Sequence, residues 1–184
     1  MNAMMGPVSM ATKGSAGRTP GRMRPEISRE EDSKREKAMY REHIEAAAVG
    51  TRWIKVGAPC PEEKIAEAEC CIGFAFPAAL KELLREMDGD GNFLLSADGM
   101  MENVRMNREY FTECFEDPEE YLERIDRHIF FAANGCGDYY CYRIGEDGRA
   151  DESEIYLWEH EVFECRPAAK DIAELIEKYC CGEI

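Results

Sequence analysis

The side chains of this 184-residue chain that could do chemistry are nine cysteines, three histidines and a surplus of carboxylates. Cys136 stands in "NGCGDYYCYRIGEDG", residues 134–148, between two glycines that could hold a thiol up as a nucleophile. A cysteine nucleophile needs a lowered pKa and a base within hydrogen-bond reach, and acidic surroundings with few histidines oppose both. The stretch therefore reads as a corner: Gly135 and Gly137 supply backbone angles that other residues resist, Asn134 or Asp138 bonds the local backbone, and a strand runs from Tyr139 to Ile144. His160-Glu161 in "WEHEVFE" begins like a zinc-protease helix, but Glu164 occupies the position of the second histidine. With His43, His128 and His160 the only histidines, and no CxxC spacing, no metal site is expected. "DGDGN", residues 88–92, alternates oxygen side chains as a calcium loop does, yet Phe93 and Gly99 stand where that loop needs glycine and an acid, so it reads as a helix-ending turn. Cys70-Cys71 and Cys180-Cys181 read as small apolar helix residues, with a cross-pair under oxidation as the alternative. The expectation is a chain with no catalytic residues, no metal and no cofactor.

Charge is the stronger signal. The chain has 23 basic and 38 acidic residues, a net charge of -15. Residues 1–24 hold Lys13, Arg18, Arg22 and Arg24 and no acid, so the remainder sets 19 basic groups against 38 acidic ones and carries -19. Such a body repels phosphate, which argues against nucleic acid and anionic membranes as partners, and it attracts basic surfaces. Glu116, Asp117, Glu119, Glu120 and Glu123 form one acidic run, and Glu146, Asp147, Asp151, Glu152 and Glu154 another; they read as solvated faces or as a docking surface for a basic protein. The mean hydropathy of -0.50, the absence of a signal-peptide-like apolar core and of any apolar run near 18 residues, and an odd number of cysteines together predict a cytoplasmic protein with free thiols.

The elements that would position these groups follow from spacing. Residues 1–25, rich in Gly, Pro, Ser and Met, read as a tail, and residues 26–184 as one domain. Ser28 with Glu31 has capping-box spacing and predicts a helix to about Val49, charged in its first half. Pro61 opens a helix with Ile65, Ala68 and Ile72 on one side, which Gly73 ends; Pro77 starts another with Leu80, Leu83, Leu84 and Met87 as its stripe. A short strand is expected over Phe93–Leu95, then helical segments broken at Asp117-Pro118, the second with Tyr121, Leu122 and Ile125 buried. "HIFFAA", "YYCYRI" and "EIYLWE" are short and aromatic or β-branched, the marks of an antiparallel meander. Tyr140, Tyr142 and Ile144 should share one face of the middle strand, and Tyr139, Cys141 and Arg143 the other. "RPAAKDIAELIEKY" reads as a closing helix. Helices, then strands, then a helix make an α+β domain: an antiparallel meander packed against several helices, with an N-terminal helical extension.

Taken in order, "PCPEEKIAEAECCIGFAFPAALKELLREMDGDG", "IFFAANGCGDYYCYRI" and "EIYLWEHE" resemble the SUKH superfamily, the Smi/Knr-like domain, over roughly residues 59–180. The resemblance implies a protein-binding α+β domain without enzymatic activity. Many bacterial members look like immunity proteins that neutralise a cognate toxin, often a nuclease; other relatives regulate cell-wall synthesis and signalling. The expectation is an immunity protein that covers a basic toxin with acidic surface, with a regulator or scaffold for an endogenous partner as the alternative. The candidate partner-binding residues are Glu116, Glu119, Glu120, Asp151, Glu152, Glu154, Trp158, Glu159 and Glu161, an exposed aromatic serving as the anchor that sets the dissociation rate.

Overall fold

The computed structural model describes residues 40–49 and 54–184. The tail and the capping box at Ser28 lie outside the described residues. Six helices are described: α1 (Tyr40–Ala48), α2 (Glu62–Ile72), α3 (Ala78–Glu86), α4 (Ala97–Cys114), α5 (Pro118–Ile125) and α6 (Ile172–Cys181). They pack around a four-stranded antiparallel sheet of β1 (His128–Ala133), β2 (Tyr139–Arg143), β3 (Ile155–Glu159) and β4 (Glu164–Ala169), in sequential order. This is the expected α+β meander.

Most boundaries follow the anticipated signals. Pro61 and Pro77 stand at the N-caps of α2 and α3, where a missing N–H costs nothing, and Gly73 ends α2 at φ 94°, a conformation that a Cβ would strain. The α4–α5 break falls at Asp117-Pro118. Ser96 caps α4 by accepting from the Gly99 N–H, and Asp171 caps α6 by accepting from the Glu174 N–H.

Two expectations need correction. Phe93–Leu95 is not a full strand: Leu94 alone bridges Ala132, with the Ala133 N–H donating to Phe93 O at 2.8 Å and the Leu95 N–H to Phe131 O at 2.9 Å. The segment covers the outer edge of β1, where unpaired backbone would otherwise be open to association. Residues 166–169 are not helix but the end of β4. Pro167 removes a donor from that strand, which an edge position tolerates, and the helix starts only after the Asp171 cap.

The sheet is buried on both faces. Ile129, Phe131, Tyr140, Tyr142, Ile155 and Leu157 face the main core with α1–α4 and α6. The other face carries Phe130, Cys141, Tyr156 and Trp158 against Phe111 of α4 and Ile125 of α5, with Phe115, Tyr121, Leu122 and Phe163 at the margin. The alternation expected for β2 holds, with Tyr140, Tyr142 and Ile144 in the first core and Tyr139 and Cys141 in the second.

Residues 55–58 run alongside the turn that follows α3: the Lys55 N–H donates to Asp90 O at 2.7 Å, the Gly57 N–H to Gly89 O at 2.8 Å, and the Asp88 N–H to Ala58 O at 2.8 Å. A Cβ on Gly57 would sit 2.4 Å from the Asp88 carbonyl oxygen, closer than backbone can accommodate without moving. Gly57→Ala is therefore expected to destabilise the fold by about 1–3 kcal/mol, the usual cost of overpacking. A lowered urea midpoint at unchanged slope is the expected readout, and an unchanged midpoint would contradict the close approach.

Candidate functional site

The acidic candidates fall into three separate groups. Glu116, Glu119 and Glu120 lie exposed at the α4–α5 junction and the start of α5. Glu120 pairs with Arg124 one turn on at 2.7 Å, while Glu116 and Glu119 have no ion-pair partner among the described residues. Glu159 and Glu161 lie at the end of the sheet formed by the β1–β2 and β3–β4 turns. There the Asp138 carboxylate accepts from the His160 backbone N–H at 3.1 Å and meets its ring Nδ1 at 2.7 Å. Burial raises the Asp138 pKa, but the His160 and Asn134 hydrogen bonds outweigh it and leave the group below the ordinary carboxylate value. Glu159 is held by Arg166 at 2.9 Å.

Cys136 sits in the β1–β2 turn, exposed, its backbone N–H donating to Asn134 Oδ1 at 2.8 Å. Gly135 and Gly137 have φ of 76° and 103°. These angles and the Asn134 bond form the glycine corner between β1 and β2 that the spacing predicts.

The third group is in the β2–β3 loop at the opposite end of the sheet. Asp151 is committed to the loop itself: its carboxylate accepts from the Ser153 hydroxyl at 2.6 Å and the Ser153 N–H at 3.0 Å, which hold its pKa below the ordinary value. Glu152 instead faces a cleft of about 540 Å³ between α1, α3 and α6. Glu82 of α3, Asp171 at the α6 cap, and Glu174 and Glu177 of α6 also line it, with Lys170 and His43 the basic side chains on its walls among the described residues. Glu174 pairs with Lys178 at 2.9 Å. Five carboxylates around one cleft create a negative potential that low-dielectric walls focus outward.

The cleft depends on α1. Arg41 fixes that helix by donating from Nη1 to Gly57 O and to Glu86 O, each at 3.1 Å, while the Arg41 backbone N–H donates to Glu86 Oε2 at 3.0 Å. Ile44 is fully buried in the main core, and Tyr40 and His43 form the cleft wall.

Trp158 requires a correction. It is 4% exposed, within the second core and 4.9 Å between ring centroids from His128, so it is unable to anchor a partner from the surface. Alternation places it on the face that α4, α5 and Phe163 cover, and nothing in "EIYLWE" marks that face as covered.

The same face brings together residues that the sequence did not group. Cys165 Sγ lies 4.0 Å from Cys141 Sγ and 3.2 Å from His128 Nε2, although these partners are 24 and 37 positions away in the chain. Burial raises the Cys141 thiol well above its ordinary pKa. Cys165 is lowered to about 5, first by the hydrogen bond from Cys141 and then by His128, against the opposing effect of burial. A cleft of about 340 Å³ opens beside it, lined also by Arg124, Arg127 and Arg143.

Among the described residues no helix is long and apolar enough to cross a membrane. Comparison with curated proteins finds no match. Residues 59–178, which run from just before α2 into α6 and contain the whole sheet, match the SMI1/KNR4 family (SUKH-1). That match spans well over half of the chain, with the order of helices and meander strands that the resemblance implies, and this protein therefore belongs to the SMI1/KNR4 family (SUKH-1).

Proposed function

We propose that this chain is a non-enzymatic immunity protein that binds a basic toxin domain and covers its working surface with the acidic cleft between α1, α3 and α6. The observation that carries the reading is the convergence of Glu82, Glu152, Asp171, Glu174 and Glu177 on one concave surface. An enzyme that cleaves nucleic acid must present a cationic cleft to phosphate. A body at -19 would steer toward such a surface at long range, and the acidic walls would complement it at contact.

Family membership supports an immunity or Smi/Knr type of protein, and α1 gives the reading its specificity. That helix lies outside the matched residues yet supplies Tyr40 and His43 to the cleft, so the part of the wall that the family match does not cover is available to select one partner.

The test is affinity capture with the tagged full chain from cells of its own source, washed at low and at moderate salt, with retained proteins identified by mass spectrometry. The expected result is a basic toxin domain held at low salt and released as salt rises. Retention of an ordinary cellular protein with no toxin would favour the regulatory reading of the family, and retention of nothing basic would remove the electrostatic basis of the proposal.

A further inference from the structure

We propose that His128, Cys141 and Cys165 form a three-ligand site for a thiophilic divalent metal of the zinc class, with its fourth coordination position facing the arginine-lined cleft. The inference is independent of the acidic cleft and uses the other face of the sheet.

The distances suit an ion. A tetrahedral zinc with bonds of about 2.3 Å to sulfur and about 2.0 Å to nitrogen places its ligand atoms about 3.8 Å apart for two sulfurs and about 3.5 Å for sulfur and nitrogen. Here the sulfurs are 4.0 Å apart and the Cys165 sulfur is 3.2 Å from the imidazole nitrogen. All three ligand atoms lie within 4.8 Å of one another. The two contacts of Cys165 are each within a few tenths of an ångström of a coordination sphere, and the third side of the triangle, from Cys141 to His128, closes from at most 4.8 Å as the ion draws the ligands in.

The histidine is set up for this role. Its Nδ1 is 2.7 Å from the Arg124 carbonyl oxygen, which can only accept, so Nδ1 carries the proton. Any proton that Nε2 shares with Cys165 leaves when a metal binds, and Nε2, the nitrogen that points at Cys165, then offers its lone pair to the ion. A backbone carbonyl that fixes the tautomer and orientation of the ring is the usual outer partner of a metal-binding histidine.

A disulfide is the competing use of two close thiols, and the strand order disfavours it. Cys141 on β2 is opposite Tyr156 of β3, and Cys165 on β4 is opposite Trp158 of β3, so a whole strand separates the two backbones. Two strand spacings come to roughly 9.5 Å, whereas a disulfide needs Cα atoms about 4.4–6.8 Å apart. The side chains reach across β3, and an ion can bridge a gap that a 2 Å bond closes only by moving the sheet. Twist explains how residues on β1, β2 and β4 meet: it brings opposite corners of a sheet together over one face, and irregularities at Phe130/Ala132 and Ile155/Tyr156 add to it.

Two thiolates and one imidazole select a soft or borderline ion over calcium or magnesium. On binding, the protons carried by the two sulfurs leave to solvent and both bond as thiolates. Arg124, Arg127 and Arg143 outnumber Glu164 on the cleft beside the open position, a net cationic rim that favours the anionic ligands and an anion or water as the fourth donor.

Cobalt(II) is the probe. The full chain, kept reduced and stripped with a chelator, is titrated with cobalt(II) and then with zinc. The expected result is one equivalent with the visible bands of tetrahedral cobalt and a near-ultraviolet thiolate charge-transfer band, both abolished by zinc. Cys165→Ser and His128→Asn should each weaken cobalt binding by about 100-fold or more, since losing even an outer partner costs about 10–100-fold, and Cys136→Ser should leave it unchanged. Circular dichroism of the metal-free variants checks that they fold. X-ray absorption of the zinc-loaded wild type, expected to give two sulfurs and at least one nitrogen, tests the ligand set without any variant. Absence of uptake, uptake unaffected by Cys165→Ser, or a Cys141–Cys165 disulfide in alkylated and digested protein would each overturn the proposal.

Discussion

Replacing Asp90 by alanine is expected to lower the unfolding free energy by about 3–5 kcal/mol, because charge-assisted hydrogen bonds contribute about 1.5–3 kcal/mol each and do not add fully. Asp90 is 0% exposed, and its Oδ1 accepts from the backbone N–H groups of Asn92, Phe93 and Leu94 at 2.9, 2.7 and 2.9 Å. Alanine would leave the Phe93 and Leu94 donors buried without that acceptor. The damage should spread beyond the turn, since Phe93 stacks on Tyr179 of α6 with ring centroids 4.1 Å apart and Asn92 Nδ2 donates to the Tyr179 hydroxyl at 2.7 Å. Asp90→Asn keeps an acceptor in place and should recover part of the loss. Urea unfolding of the three proteins measures this, and equal midpoints for wild type and Asp90→Ala would show that the turn is not held by that carboxylate.

Phe131→Ala is the second large effect, about 3–5 kcal/mol from lost transfer energy and the cavity left behind. Phe131 is 1% exposed at the centre of β1, its ring 5.4 Å from that of Tyr142, so the surrounding strands are poorly placed to close the gap. Phe131→Leu should cost much less, as a change that keeps most of the volume. A thermal or urea midpoint that ranks alanine and leucine together would place Phe131 outside the well-packed core.

These two residues also mark what the sequence makes legible. β1 to β3 are apparent because alternating aromatic and β-branched residues are bounded by turns, and α2 and α3 because Pro61, Gly73 and Pro77 punctuate a helical period. β4, "ECRPAA", lacks both alternation and β-branched residues; it is a strand because β3 pairs with it. Trp158 reads as a surface anchor because the aromatic cover over it comes from the acidic stretch around α5 and from the β3–β4 turn, where charge conceals the few apolar contacts.

The sites were less legible than the fold. Acidic runs are visible along the chain, but the cleft draws Glu152 from one of them and Glu82, Asp171, Glu174 and Glu177 from elsewhere, so only the tertiary arrangement collects them. Asp151 and Glu152 are neighbours in sequence with different duties, one closing a loop and the other facing the cleft. The His128, Cys141 and Cys165 cluster has no spacing signature because three separate strands supply it.

If the acidic cleft steers and holds a basic protein, reversing its charge must slow association. Glu152 and Glu177 are the residues to change, because both are exposed and neither caps a helix, whereas Asp171 caps α6 and Glu174 is tied to Lys178. The association rate of the captured basic partner is to be compared between wild type and the Glu152→Lys/Glu177→Lys variant, at low and at moderate salt. The expected result is an association rate lowered by about 10-fold or more at low salt and a flatter dependence on ionic strength. Identical rates and identical salt dependence in a variant that folds as the wild type does would contradict it.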